Sequence, residues 1–586
     1  MTDLRAARIL RGRRAVALAA LGVGAISLLL VYNHTRGDSF SADEPVHILS
    51  GYFEVFARTA IVNIEHPPLM KILAGLGLTV LRLPPPPARV PMGNRFTDYG
   101  HDFLFRGPVS PDAIAAAARA PFLLVLAGLL ATVFFEARLR YGNGPALFAV
   151  ALLAFDPNIV AHAGVVHTDL GAALTFLLSV LAWERARRGG GGRLALAAAA
   201  LGLALATKFS AVYLIPILLL QGFIAVRREP DPGPAMVRML GRFAAVASGA
   251  FLVVLVVYAL VTARMNPVDQ RQVIHEMVAL RGAPALSASI ERIAKSSAPV
   301  GQYLGGLASI ARQNAEGGGV NYLFGKVSVT GFPLYFFVAF LSKSALAFLI
   351  VSALAIVSLA RDPAARHEAP LLLLPVGVLL LASIGSSYNI GIRHLLPVYP
   401  LLALSGAGLI EKAQRGSGGP RLRAAVWLAI ALPLLSAVEI ARIHPHELSY
   451  FNPLAGGPER GKKILSDSNV DWGLDLKRLA AELGRRGQSS PTVVYFGGDD
   501  TLYRVGVPDF VTEPVVRGTL VAVSAFYLAE GPAYLRYHGA RDVAAALERL
   551  LAEIAARGHS AGRVGHSIEL FELGGGAAPP PGKAVR

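Results

Sequence analysis

Runs of about 20 apolar residues recur along most of this chain, separated by short arginine-rich loops. A backbone crosses hydrocarbon only if its polar groups are paired internally, so such runs commit the chain to bundled membrane helices. Of 586 residues, 54% are hydrophobic and only 16% charged, against roughly 25% charged in soluble domains. The mean hydropathy is +0.50. A formal charge of +17 would ordinarily raise the question of nucleic acid. Here the basic residues sit in the short loops between apolar runs, as in cytoplasmic loops of membrane proteins, and no nucleic-acid partner is expected. Cysteine is absent, which excludes disulfides, thiolate metal sites and cysteine nucleophiles but does not decide the compartment.

The basic flank and long apolar core of the N-terminus, with no small-residue cleavage site, predict an uncleaved first span over 13–33 with its start in the cytoplasm. The next apolar run, 69–83, is short, holds Lys71 and lies between Pro67-Pro68 and "PPPPARVP". Counting it as a span inverts most later loops, so an interfacial or re-entrant helix is expected. The remaining spans are then 120–136, 145–162, 169–184, 194–206, 210–226, 242–262, 333–358, 369–385, 395–411 and 423–440. With the first, they make an α-helical polytopic membrane protein of about eleven spans. A membrane domain over 1–440 follows, with a first outer loop at 34–119 and a long outer loop at 263–332. Internal repeats are not evident.

After residue 441 the composition changes. "KKILSDSNVDWGLDLKRLAAELGRRG" reads as a short strand, a polar turn and an amphipathic helix. "PTVVYFGG" and "TLVAVSAFYL" read as strands, and "ARDVAAALERLLAEIAARG" as a helix. Residues 441–573 are therefore expected to form a small extracytoplasmic α/β domain, followed by a disordered tail over 574–586.

This topology gathers polar residues at the outer face. They are Asp43, Glu44, His47, Glu65 and His66 of the first loop, His162, His167 and Asp169 of "HAGVVHTDLG", Lys208, and Tyr388, Asn389, Arg393 and His394 of "SSYNIGIRHLLP". Ionisable groups at membrane depth are costly, so a convergent set is a candidate site. Carboxylates at such a boundary suit a general base, and cations beside them suit a lipid-borne phosphate.

The order of Asp43-Glu44, "EHPPLMK" and "AFDPNIVAHAGVVHTDLG" resembles the GT-C membrane glycosyltransferases. Within them the likeness is to the protein O-mannosyltransferase (glycosyltransferase family 39) and lipid A aminoarabinose transferase group. "GKVSVTGFPLYFFVAFLSKSAL", "NIGIRHLLPVYPLL" and "ILSDSNVDWGLDLKRLA" resemble a bacterial branch with an outer C-terminal domain. The resemblance implies a polyprenyl-phosphate sugar donor, an active site at the outer face of the bacterial plasma membrane, and an inverting transfer without a covalent glycosyl-enzyme. It implies Asp43 as acceptor base and Glu65, His66, Pro67 and Pro68 beside the donor phosphate; the residues themselves add Glu44 and Glu65 as assistants to the base, and Lys71, Lys208, Arg393 and His394 with His66 as candidates for the phosphate. His47, His167, Asp169, Tyr388 and Asn389 are then candidates for acceptor or sugar. Two positions depart from the aminoarabinose relatives: Val46 and His47 stand where a basic residue is often found, and His66 where the motif has lysine.

Plainer roles stand beside these. Asp43, Glu44 and Asp169 can cap helices, Glu65 can pair with His66, and Arg393 and His394 can snorkel from a helix end. Lys343, inside a span, can snorkel or hold a lipid phosphate. Asp467, Asn469 and Asp471 read as turn and cap residues. His162 and His167, five apart, do not make a helical metal pair. A divalent metal stays open, with no ligand set assigned. The acceptor is a protein hydroxyl, a lipid or an envelope glycan, and membrane lipids are the remaining partners. A transporter or flippase for a lipid-linked glycan would use the same cations without a base, and a non-catalytic assembly protein would show no turnover.

Overall fold

The computed structural model describes residues 2–87, 99–278, 284–362, 368–416 and 419–574. The tail expected to be disordered lies outside them beyond Gly574. The chain is mostly helical, and each of the eleven expected spans carries helix among the described residues.

Helix α1 (Thr2–Gly37) is followed by two short helices, α2 (Glu44–Tyr52) and α3 (Leu69–Leu78). Ten residues of α3 reach about 15 Å, half of the roughly 30 Å of hydrocarbon, and Pro68 begins it. It packs against α2 where Gly51 meets Gly75. A Cβ on Gly51 would lie 2.2 Å from the Lys71 carbonyl oxygen, and one on Gly75 2.2 Å from that of Gly51.

Next come α4 (Pro111–Tyr141), α5 (Asn143–Ala154), α6 (Pro157–Ala163) and α7 (Asp169–Ala186), then α8 (Gly191–Leu205), α9 (Leu214–Val226) and α10 (Pro232–Thr262). The expected single span over 145–162 is instead α5 and α6, bent by 64°. Pro157 lacks the amide that would continue α5, and Asp156 accepts from the amides of Asn158 (2.9 Å) and Ile159 (3.3 Å) to start α6 afresh.

The stretch expected as a long loop, 263–332, is largely structured. It holds α11 (Pro267–Val278), α12 (Pro284–Ser296), α13 (Ala298–Glu316) and a hairpin of β1 (Asn321–Leu323) with β2 (Lys326–Ser328). Phe324 and Gly325 turn that hairpin with φ of 49° and 78°, the positive pair that a two-residue turn requires.

Helices α14 (Tyr335–Lys343) and α15 (Leu346–Arg361) were expected as one span but meet at 116°. The carbonyls freed at the break are satisfied by Asn452, whose side chain donates to Leu341 (2.6 Å) and Ser344 (2.9 Å). Helices α16 (Ala369–Ile384), α17 (Val398–Gln414) and α18 (Pro420–Ile443) complete the bundle. Among the described residues, four helices are long and apolar enough to cross a membrane alone, or up to six if each bent pair is one span. The shortfall against eleven includes short helices such as α8 and the 17-residue α17, and α7, which carries Asp169, Glu184 and Arg185 at its ends. Trp183, Tyr399 and Phe348 are fully buried in the core these helices share.

The C-terminal unit holds α19 (Gly457–Gly461), α20 (Leu476–Arg485), β3 (Thr492–Val494), α21 (Thr501–Val505), β4 (Leu520–Ser524), α22 (Ala525–Ala529), α23 (Gly531–Tyr537), α24 (Arg541–Arg557), β5 (Gly558–Val564) and β6 (Ile568–Leu573). Its sheet has the order β3-β4-β6-β5, with β3 and β4 parallel and the other pairs antiparallel. Leu476, Leu479 and Leu483 of α20 bury one face, and Leu547, Leu550 and Ile554 of α24 the other. "KKIL" is turn rather than strand, and the strand of "TLVAVSAFYL" stops at Ser524, where α22 begins. The hairpin β5–β6 closes the sheet's far edge.

This unit is sewn to the first loop. The amides of Ser39 and Ala42 donate to the carbonyls of Leu474 and Trp472, both at 2.9 Å. Arg478 donates to Asp38 (2.7 Å) and Asp475 (2.8 Å). Lys343, 1% exposed at the α14–α15 break, donates to the carbonyls of Leu448 (2.7 Å) and Asn469 (2.6 Å).

Candidate active site

The polar residues collected from distant stretches meet where α2, the α6–α7 turn, the strap before α17 and the "DSNVDWG" turn come together. Asp43 holds the N-cap position of α2 but makes no side-chain cap bond. Its Oδ2 instead accepts from Arg393 at 2.9 Å and lies 3.4 Å from His167 Nε2. Asp43 is 36% exposed, whereas Arg393 is 4% exposed. Burial alone would raise the Asp43 pKa; the Arg393 guanidinium, with His167 beside it, outweighs this and holds it well below the usual carboxylate range.

Arg393 is placed by its surroundings rather than by a flexible helix end. Its guanidinium lies 4.3 Å from the centre of the Trp472 ring. The strap that carries it is fixed by Asn469, whose Oδ1 accepts from the Ile392 amide at 3.0 Å, and by Ser468, which donates to the Ile390 carbonyl at 2.5 Å. Asp467, in the same turn, is raised to about 6 by burial, with Arg393 opposing.

His167 bridges this pair to a second one. Its Nδ1 lies 2.6 Å from Asp169 Oδ2, and Lys208 Nζ donates to Asp169 Oδ1 at 2.5 Å. The rings of His47 and His66 lie 4.7 and 5.5 Å from that of His167, and 4.8 Å from each other. His66 Nδ1 is 2.9 Å from Asn63 Oδ1, while neither ring nitrogen of His47 has a hydrogen-bond partner. Burial first, and then neighbouring histidines, push both the His47 and His66 pKa values well below the ordinary value, so both rings are neutral.

Other sequence candidates are placed differently. Glu44 is fully buried and occupied: Arg119 donates to both its oxygens at 2.7 Å, and the amides of Ser41 (2.8 Å) and Val166 (3.1 Å) donate as well. That environment fits an anchor of the loop, not an open carboxylate. Lys71 is 2% exposed, paired with Glu54 at 2.9 Å and donating to the Asn63 carbonyl at 2.8 Å, so it underlies the histidines rather than facing an open site. Glu65 accepts from Gln313 of α13 at 2.8 Å. Asn389 is spent on the hairpin, accepting from the Phe332 amide at 2.5 Å while its own amide donates to Asn321 at 2.6 Å. His394 stacks between Phe336 and Tyr388, with ring centres 5.8 and 6.4 Å away.

Sequence reasoning missed Arg119, Trp472 and Gln313. An arginine inside the alanine-rich run "AAAARAPF" was itself a signal, because a lone charge in such a helix requires a buried partner. Trp472 was visible as one of only three tryptophans, but nothing local indicated that it would lie under Arg393. Gln313 carried no signal.

Residues 113–230, about a fifth of the chain, match the family model described as dolichyl-phosphate-mannose-protein mannosyltransferase. Comparison with curated proteins gave no match. Among solved structures, the oligosaccharyltransferase of Archaeoglobus fulgidus aligns at 15% identity with a TM-score of 0.42, over 73% of this chain and 55% of that one. The chain thus spans little more than half the length of that archaeal protein. ArnT from Cupriavidus metallidurans bound to undecaprenyl phosphate aligns at 15% identity over 95% of this chain and 99% of that one, with a TM-score of 0.28. Scores this low do not establish a shared fold. The family match is the firmer finding: the segment that holds Arg119, His167, Asp169 and Lys208 is similar to the GT-C mannosyltransferase family, and over residues 113–230 it supports the resemblance drawn from the motifs.

Proposed function

We propose that this multi-pass membrane protein transfers a sugar from a polyprenyl-phosphate carrier to a hydroxyl acceptor at the outer face of a bacterial plasma membrane, with the C-terminal unit on that side. The observation that carries the proposal is the Asp43–Arg393 pair, 2.9 Å long and partly open on the carboxylate side.

In the pair as it stands, Arg393 suppresses the basicity of Asp43, so the carboxylate is a poor proton acceptor. A donor phosphodiester, with one negative charge and two unbridged oxygens, competes for the guanidinium, which can hold both oxygens with two parallel bonds, and the second charge that develops on the departing phosphate strengthens that hold. Arg393 then turns toward phosphate and Asp43 is released to the acceptor hydroxyl. The acceptor oxygen attacks the anomeric carbon as the bond from that carbon to the phosphate oxygen breaks. The hydroxyl proton passes to Asp43, and the polyprenyl phosphate leaves against Arg393, with Lys208 behind it. One displacement inverts the anomeric centre. Donor binding thereby creates the base it needs, which keeps the carboxylate quiet while the carrier is absent.

The test is Asp43→Asn in purified protein, with transfer from a polyprenyl-phosphate sugar and binding of undecaprenyl phosphate measured separately. Loss of transfer by at least about a hundredfold with lipid binding retained is expected. Undiminished transfer removes Asp43 from the role, and lipid binding with no transfer by the wild type under any sugar favours a carrier of lipid-linked glycan. Mass spectrometry of glycolipids and glycoproteins from a deletion strain identifies the sugar and acceptor.

A further inference from the structure

Each cation around the site is already matched to an acid: Lys71 to Glu54, Lys208 to Asp169, Arg393 to Asp43. Between them lie three imidazoles with no acidic surplus to serve. His47, His66 and His167 each present a ring nitrogen, and these atoms all lie within 4.8 Å of one another.

One of the three, His66, has a ring nitrogen held by an oxygen, as metal-binding histidines do, which leaves its other nitrogen for a ligand. His66 Nδ1 meets Asn63 Oδ1 at 2.9 Å. His167 Nδ1 lies 2.6 Å from Asp169 Oδ2, an ion-pair distance without hydrogen-bond geometry, and its Nε2 lies 3.2 Å from Arg393 NH1. The third, His47, is 1% exposed with both nitrogens unpartnered. A buried imidazole with no partner loses hydrogen bonds it would make in water, a cost that calls for a ligand.

We propose that His47, His66 and His167 form a binding site for a single divalent transition-metal ion of the Zn²⁺ or Co²⁺ class, open at a fourth position toward Asp43. Imidazole nitrogens select such ions over Mg²⁺ and Ca²⁺, which take oxygen ligands. With metal–nitrogen bonds of about 2.1 Å, tetrahedral ligand atoms stand about 3.4 Å apart. The rings therefore close by at most about 1.4 Å from their 4.8 Å limit, within reach of side-chain rotation. The ion replaces Arg393 NH1 beside His167 Nε2, and Asp43, 3.4 Å from that nitrogen, offsets its charge from the open side. Access runs past the one-third exposed Asp43.

The fourth position faces the place assigned to the donor phosphate, so a divalent ion there, only half offset by Asp43, supplies phosphate with a remaining positive charge. This coupling rests on the transfer reading, whereas the ion site does not. Coupling is reciprocal, so phosphate lipid and ion each tighten the other, by a factor in the range of about 5 to 150.

The full chain, purified in detergent without a polyhistidine tag and stripped with a chelator, is titrated with Zn²⁺ by calorimetry and with Co²⁺ by visible absorption. One ion per chain with a tetrahedral Co²⁺ spectrum is expected, with affinity lowered at least about tenfold in His47→Gln and in His66→Gln. His275→Gln, an exposed histidine paired with Glu291, is expected to bind as the wild type does. Repeating the Zn²⁺ titration with undecaprenyl phosphate present is expected to raise the affinity. Absence of a stoichiometric ion from the wild type overturns the site without reference to any variant's folding, as does binding that survives both substitutions. Ion-free protein that transfers sugar at full rate overturns the coupling while leaving the proposed function standing. Ion binding in a protein that transfers no sugar supports the site and removes the function.

Discussion

Asp43 and Arg393, 350 positions apart, meet through a 2.9 Å hydrogen bond from NH1 to Oδ2, with the Trp472 ring lying 4.3 Å from the guanidinium. The carboxylate is supplied by the first loop, the guanidinium by the strap before α17, and the aromatic floor by the C-terminal unit. The site is therefore a property of three separate parts of the chain in contact.

Replacing Arg393 by lysine keeps the charge but removes the planar fork that can hold two phosphate oxygens. Arg393→Lys is expected to weaken undecaprenyl phosphate binding by about tenfold, read from lipid titration, with the melting temperature little changed. Trp472→Ala, which removes the floor but not the charge, is expected to produce a smaller loss of the same kind. Unaltered lipid affinity in Arg393→Lys would take the guanidinium out of phosphate recognition.

Glu44 and Arg119 are expected to matter for stability. Both are buried, and the pair also holds the carbonyls of Thr35, Asp38 and Ser39. Removing one charge leaves the other unpaired in an apolar surround, a cost of about 3–5 kcal/mol. Thermal unfolding of Glu44→Gln and of Arg119→Met is expected to show it, and the double variant to cost less than the sum of the two. Additive losses would mean that the two residues act independently.

A pH dependence follows from Asp471, whose carboxyl burial raises to about 7; the amides of Gly473 and Phe526 donate to it at 3.1 and 3.3 Å. In the unfolded chain it titrates near 4. The native state therefore holds a proton that the unfolded state has released. The resulting stabilisation is complete below about pH 4 and is lost as pH rises through 7. Calorimetric melting of wild type and Asp471→Asn at pH 5 and pH 8 checks this: the wild-type preference for pH 5 is expected to shrink in the variant. An identical preference in both would assign it to other groups.

Gly51→Ala probes the seat of the histidines. The added methyl would lie 2.2 Å from the Lys71 carbonyl oxygen and 2.9 Å from the Gly75 amide, neither of which can rotate away. Overpacking of this kind costs about 1–3 kcal/mol even where side chains yield. A loss at the upper end of that range is expected in thermal unfolding, together with weaker Co²⁺ binding, because His47 rides on the displaced α2. Wild-type stability in Gly51→Ala would show that α2 and α3 separate freely.

What the sequence made legible was mostly what local pattern controls. Apolar runs marked where helices lie in all eleven expected spans, although four of those helices, or up to six with the bent pairs, are long and apolar enough to cross a membrane, and the double proline ends the loop before a helix too short to span. Convergence of Asp43 with Arg393, His167 and Asp169 was accessible because topology alone placed them on one face. Pairing was not. Nothing near Glu44 indicates that its partner is Arg119 on another helix, and nothing near Lys71 announces Glu54, since ion pairs are chosen by three-dimensional packing. The bends at Asp156 and Ser344 were hidden by apolar runs whose hydropathy continues straight through them. The strands β5 and β6 were hidden by glycine and histidine in "GHSAGRVGHSIELFEL", which dilute the alternation a strand would otherwise display.

The two backbone bonds from Ser39 and Ala42 to Leu474 and Trp472 also impose an order on biogenesis. The first loop is made more than four hundred residues before the segment it pairs with. Until the segment 468–472 is made, the strap that carries Arg393 lacks its anchors and Asp43 its aromatic floor. The candidate site is thus one of the last things the growing chain completes, although its first residues are among the earliest to appear.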